Sequence, residues 1–249
     1  MPARPTFMEG RLTGLIKFAA FSAVLIALLV FVVIPVVAGP IISGLARDAG
    51  VHGDDLDVSV DLFGPSIFTG RAPSVRVQAD DVMVPRAVIG RVDVTLTDVS
   101  PSDRSFASIS GTLHEVRVSG PGGLEMVVQS IDLEGPAEAT RATGSMDRTA
   151  SEELVREIAG QAGVAVDAVT LRDGSLTIER DGQATEAQLR VAGDALILQP
   201  AGTDPVVLLA PAPSESWRLS DVRITPHGMM VDVTVDARQL VSEMSGSLP

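Results

Sequence analysis

The feature that most restricts the fold is a period-two alternation of apolar and polar residues that recurs from Val58 to Val235. Val58, Val60 and Leu62 alternate with Ser59 and Asp61, and Val75 and Val77 with Arg76 and Gln78. Val92, Val94 and Leu96 alternate with Asp93, Thr95 and Thr97, and Val116 and Val118 flank Arg117. The pattern returns in Leu176 and Ile178 around Thr177, and in Val231, Val233 and Val235 around Asp232 and Thr234. Successive side chains of a strand point to opposite faces, so each run predicts a strand with one buried and one wet face, the signature of antiparallel sheet. Asp173-Gly174 and Asp181-Gly182 lie between such runs and mark tight hairpins, so residues 166–200 read as an antiparallel meander.

Two segments break the alternation with a helical period. Ser151–Ala162 carries Leu154, Val155, Ile158 and Ala162 on one stripe. Thr149 or Ser151 is placed to cap it, Glu152 and Glu153 suit the positive end of its dipole, and Gly163 ends it. The second segment, Ile41–Ala49, is ended by Gly50. The run Ile42 to Val51 aligns with Val155 to Val164, with the same Ala-Gly-Val ending, and each is followed by strand patterns. The layout predicts a pseudo-two-fold repeat, with halves at 39–134 and 148–249. Gly135–Asp147 is expected as the connection between them, and the proline-rich stretch Pro200–Ser216 as a loose interruption of the second half.

Before all of this, Phe18 to Ala38 runs for 21 residues without a charge. As a helix it would span about 30 Å, the thickness of a bilayer's hydrocarbon core. Arg4, Arg11 and Lys17 precede it and only Arg47 follows closely, which predicts a cytoplasmic N-terminal tail (1–17), a transmembrane anchor (18–38) and an extracytoplasmic domain (39–249) at the plasma membrane. A cleaved signal peptide is the rival, since Val36-Val37-Ala38 offers small residues for cleavage. The run is, however, longer than the usual 7–15-residue h-region. The fold class expected is therefore α+β: a transmembrane helix, then twisted antiparallel sheet wrapped around two helices.

Composition narrows the function. The net charge is -13, and beyond Lys17 the balance is 31 acidic against 16 basic residues. Such a surface repels nucleic acid and gives no general adhesion to anionic headgroups. There is no cysteine, hence no disulfide, thiolate metal site or thiol nucleophile. His52, His114 and His227 are scattered, with no paired-histidine spacing. Asp54, Asp55 and Asp57 run straight into a strand and do not form a loop that could wrap calcium. Asp80-Asp81 reads as a strand end or bulge. No G-x-S-x-G elbow occurs, and Gly120-Pro121-Gly122-Gly123 lacks the context of a phosphate loop. No catalytic residue, metal ligand or cofactor is expected.

Only Phe63, Phe68, Phe106 and Trp217 supply aromatic rings after the apolar run, so the interior must be Val, Leu, Ile and Ala. Such side chains fill a plain core or line a greasy groove equally well. The residues expected to line a groove are Leu154, Ile158 and Ala162 from the helical stripe, with Leu45, Phe63 and Phe68 from the first half.

Three segments resemble the LmeA-like phospholipid-binding family of actinobacterial cell envelopes. The first runs from Ala49-Gly50-Val51 through Val58-Ser59-Val60 and the Phe63/Pro65/Phe68 turn to Gly70-Arg71 and Val75–Val82. The second runs from Glu152 to Ile178, and the third is Val222–Gly228 with the strand after it. The turn departs from the compact Gly-Phe-Pro-Phe expected of the family. The resemblance implies a domain similar to tubular lipid-binding folds, binding of a phospholipid or glycolipid precursor, and no catalytic residues. A non-catalytic interaction module of an envelope assembly complex is the alternative, and an enzyme acting on envelope polymers is the third reading.

Overall fold

The computed structural model describes residues 52–61, 71–84, 87–100, 103, 105–119, 125–211 and 216–239. The strands are β1 (His52–Asp61), β2 (Ala72–Val84), β3 (Ala87–Val99), β4 (Ser108–Ser119), β5 (Glu125–Pro136), β6 (Thr140–Asp147), β7 (Ala168–Leu171), β8 (Leu176–Arg180), β9 (Gln183–Ala192), β10 (Ala195–Pro200), β11 (Val206–Leu209), β12 (Trp217–Thr225) and β13 (Gly228–Val235). A 14-residue helix, α1 (Arg148–Gln161), lies between β6 and β7. An eight-stranded sheet has the order β1-β2-β3-β4-β5-β6-β13-β12, a five-stranded one β11-β10-β9-β8-β7, and every pairing is antiparallel. The protein is thus a sheet-rich α+β structure. Among the described residues no helix is long and apolar enough to cross a membrane, and the run 18–38 lies outside them.

The alternation becomes a two-faced sheet. Val75, Val77, Val92, Val94, Leu96, Ile109, Leu113, Ile131 and Leu133 are all shut from solvent on one face. On the other, the Arg76 guanidinium donates two bonds to Asp93, at 3.0 and 2.8 Å, and Gln78 donates a third. Arg91 pairs with Asp80, and the Thr112 hydroxyl donates to Asp132. Arg76 holds the Asp93 carboxyl below its usual range, mainly through these hydrogen bonds.

The alternation slips along a line that crosses four strands. Inward residues are mostly two apart, but on this line they are three apart: Ala79 and Val82, Ile89 and Val92, Leu113 and Val116, Val128 and Ile131. Their registers match across the sheet on both sides of the slip, as Ala79↔Val92↔Leu113↔Ile131 and Val82↔Ile89↔Val116↔Val128. The extra residues are Asp81, Gly90, Glu115 and Gln129. Asp81 and Glu115 take positive φ (50° and 53°), as the sequence-based bulge at Asp80-Asp81 anticipated for β2. A one-strand bulge sets two residues against one; here each strand carries its own, so pairing resumes and the sheet is creased. A side chain at Gly90 would be crowded, because a Cβ there would stand 3.0 Å from that of Glu115.

The expected meander at 166–200 is β7 to β10. Its Asp181-Gly182 turn has positive φ at both residues (51° and 73°), the conformation that suits a two-residue hairpin. Gly193-Asp194 (58° and 65°) turns β9 into β10 in the same way. Two expectations need correction. Gly135–Asp147 is not a loose connection: after a 3-10 turn at Ala137–Ala139 the chain forms β6, held between β5 and β13. The alternation of Thr140, Ala142, Gly144 and Met146 on the buried side explains this, with glycine and threonine hiding the strand signal. Pro200–Ser216 likewise contains a strand, β11. It is an edge strand, the one place in a sheet where flanking Pro205 and Pro211 cost no ladder bond.

Candidate functional site

The helix α1 is the element around which an apolar site can be built, because it touches both sheets: β5, β6 and β13 of the larger, β7 and β11 of the smaller. The helix begins three residues earlier than the pattern suggested. Its cap is Asp147, whose carboxylate accepts the Ala150 N–H at 2.8 Å, and not Thr149 or Ser151. Ser151 is buried inside the first turns, where its hydroxyl donates to the Asp147 carbonyl at 2.6 Å. At the other end the Val164 N–H reaches the Ala159 carbonyl (2.9 Å) and the Gly163 N–H that of Gly160 (3.1 Å), with Gly163 at φ 82°. That is a Schellman stop, as the glycine implied.

Glu152 fixes the helix against the small sheet. Its Oε1 accepts the Leu171 N–H of β7 at 3.1 Å and the Arg148 Nε–H at 2.8 Å. A donor on an edge strand, which would otherwise invite another chain, is thereby occupied. The two sheets are also joined directly, since the Gly174 N–H after β7 donates to the Ile224 carbonyl of β12.

Of the residues expected to line a groove, Leu154, Ile158 and Ala162 share this helical stripe. Leu154 is half-buried and packs on the contiguous apolar core together with Val155. Ile158 is buried, with 8 % of its surface exposed, without belonging to that core cluster, and Ala162 at the cap is half-buried. Leu45, Phe63 and Phe68 lie outside the described residues, as do the expected anchor and the expected helix at 41–49. The buried aromatics among the described residues are Phe106 and Trp217.

One polar cluster escaped the sequence reading. Asp232 occupies an outward position on β13, yet only 1 % of it is exposed. Thr143 of β6, opposite it in register, donates its hydroxyl at 2.6 Å. Arg141 donates from the same strand, and Arg223 of β12 from the other side at 3.2 Å. Burial pushes the Asp232 carboxyl up, but the Thr143 and Arg141 bonds and the two guanidinium charges outweigh it and hold the group below its usual range. A carboxylate so saturated is a cross-strand clamp and not a base waiting for a proton. Nothing in Val231-Asp232-Val233 distinguishes it from an ordinary solvated position. Among the described residues no three His, Asp or Glu side chains gather to hold a metal ion. His52 opens β1, His114 lies on β4, and His227 sits in the β12–β13 turn.

No protein-family model, no curated protein and no solved structure matches this chain.

Proposed function

We propose that this is a membrane-anchored cell-envelope protein that binds or shuttles a phospholipid or glycolipid precursor in an apolar groove, without catalysis. The observation that carries the reading is the placement of α1. A helix with an apolar stripe touches two antiparallel sheets whose buried residues are mostly Val, Leu, Ile, Ala and Met, with Phe106 and Trp217 the buried rings among the described residues. A diacyl lipid exposes on the order of 30 methylenes at about 0.8 kcal/mol each, so carrying one through water requires such an apolar sleeve. The acidic balance of the chain agrees with a ligand recognised by its tails and not by its phosphate. The finer architecture belongs to the same proposal: residues 18–38 span the plasma membrane, the N-terminus is cytoplasmic, and 39–249 form the extracytoplasmic domain. That domain consists of two helix-then-sheet halves, of which α1 and the β7–β10 meander would open the second. Kinship with the LmeA-like family is part of the proposal and rests on the three segments quoted above.

The test is mass spectrometry of the full chain extracted from its native membrane in mild detergent. One envelope lipid per chain is expected, displaced when Ile158→Trp fills the stripe while the circular dichroism of the sheets is retained. Protein that carries no lipid, and whose Ile158→Trp variant behaves as wild type, returns the domain to the alternative of an interaction module.

A further inference from the structure

Beyond the crease, the large sheet carries apolar side chains on its outward face as well as on its inward one. Inward lie Val82, Ala87, Ile89, Val116 and Val128, all buried. Outward, one register row crosses four strands as Met83↔Val88↔Arg117↔Val127. Its three apolar members are exposed to 53 %, 39 % and 37 %, whereas the outward face on the other side of the crease is a lattice of carboxylates, guanidiniums and hydroxyls. Arg117, between Val88 and Val127, makes no ion pair among the described residues. Arg76, Arg91, Arg141 and Arg223 of the same sheet are all paired with carboxylates. An apolar row with one unneutralised guanidinium suits a surface that is greasy below and phosphate-bearing above.

Chain connectivity selects the occupant. Strand β1 enters the sheet at this same end, because His52 pairs with Met83. The charge-free run ends at Ala38, so residues 39–51 form a leash of at most about 45 Å even if fully extended. A run embedded in a bilayer would therefore tether the chain at the creased end of the sheet, within about 45 Å of the membrane.

We infer that the row Met83, Val88, Arg117 and Val127 docks onto the lipid surface, with the three apolar side chains entering the headgroup region and Arg117 meeting a lipid phosphate. The docking rests on the anchored part of the function proposed above and is independent of any lipid carried inside.

The chain has no cysteine, so single-cysteine labelling is clean. The full chain is reconstituted in nanodiscs of phosphatidylcholine with phosphatidylglycerol. A polarity-sensitive fluorophore is placed in turn by Met83→Cys, Val88→Cys, Val127→Cys, Val207→Cys and Ala27→Cys. Val207, on β11 and 55 % exposed, is the off-row control, and Ala27 reports on the anchor itself. Probes at 83, 88 and 127 should shift to the blue and lose emission to shallow spin-labelled lipid, and the probe at 27 should lose emission to lipid spin-labelled deep in its acyl chain, while 207 does neither. Arg117→Glu should weaken the quenching at 88. Quenching at 27 with none at 83, 88 and 127 overturns the docking and leaves the anchor standing. No quenching at 27 overturns the anchor and the docking together. A blue shift at the row without lipid quenching means that protein covers it, which also overturns the docking.

Discussion

Removing the buried carboxylate of Asp232 should be among the costlier single changes on the outward face of the large sheet. Asp232→Ala deletes an acceptor that receives the Thr143 hydroxyl at 2.6 Å and guanidinium protons from Arg141 and Arg223. The Thr143 bond to a buried charge is worth about 1.5–3 kcal/mol. The arginine bonds are worth less, because those side chains are 59 % and 54 % exposed, and solvent screening leaves about 0.2–1 kcal/mol for each. The total is about 2–5 kcal/mol, which in a domain of this size lowers Tm by about 4–20 °C. Asp232→Asn keeps an oxygen for Thr143 and should lose about half as much. The pH dependence gives a second readout. The folded carboxyl is held below its unfolded range, so the folded state binds fewer protons. Its stabilising contribution is complete above the unfolded pKa of about 4 and is lost as pH falls through the depressed folded value. The Tm gap between wild type and Asp232→Asn, followed by calorimetry from pH 7 downward, should therefore narrow below about pH 4. An Asp232→Ala variant within 0.5 kcal/mol of wild type, or a gap independent of pH, would refute the clamp.

Other consequences can be checked by chemical denaturation. Asp147→Ala removes the cap of α1 and should cost about 1 kcal/mol, with Asp147→Ser restoring most of it. Gly228 pairs with Asp147 across the β13–β6 register at φ 158°, and a Cβ there would lie 2.0 Å from the Met146 carbonyl oxygen; Gly228→Ala should thus cost at least about 3 kcal/mol or abolish folding. Gly182→Ala meets no atom within 4 Å and pays only for its left-handed backbone, about 1 kcal/mol, so equal losses at the two glycines would contradict the packing described.

The strands that the sequence announced are those in which each outward residue is plainly polar and each inward one plainly aliphatic, as in Val92 to Leu96 and Val231 to Val235. Strand β6 was hidden because Thr140 and Gly144 stand on its buried side, where alternation expects bulk. Strand β11 was hidden because prolines bracket four residues, too few for a period to register. The apolar stripe of α1 was legible because Leu154, Val155 and Ile158 recur at helical spacing, but its cap was misplaced. Several residues from Asp147 to Ser151 have capping side chains, and only the fold decides which carboxylate turns back on the helix. The Asp232 clamp and the Met83–Val127 row could not be read, since both are made by register: their members come from three or four strands, and pairing partners leave no mark on local sequence.

The crease ties the lengths of four strands together. Deleting Gly90 alone would leave β3 one residue out of step with β2 and β4 on one side of the line, breaking the match of Ile89 to Val82 and Val116. Deleting Asp81, Gly90, Glu115 and Gln129 together would restore simple alternation and keep every apolar pair opposite its partner. Insertions and losses along this line are thus tolerable only in concert, and the sheet inherits its bend as one indivisible character.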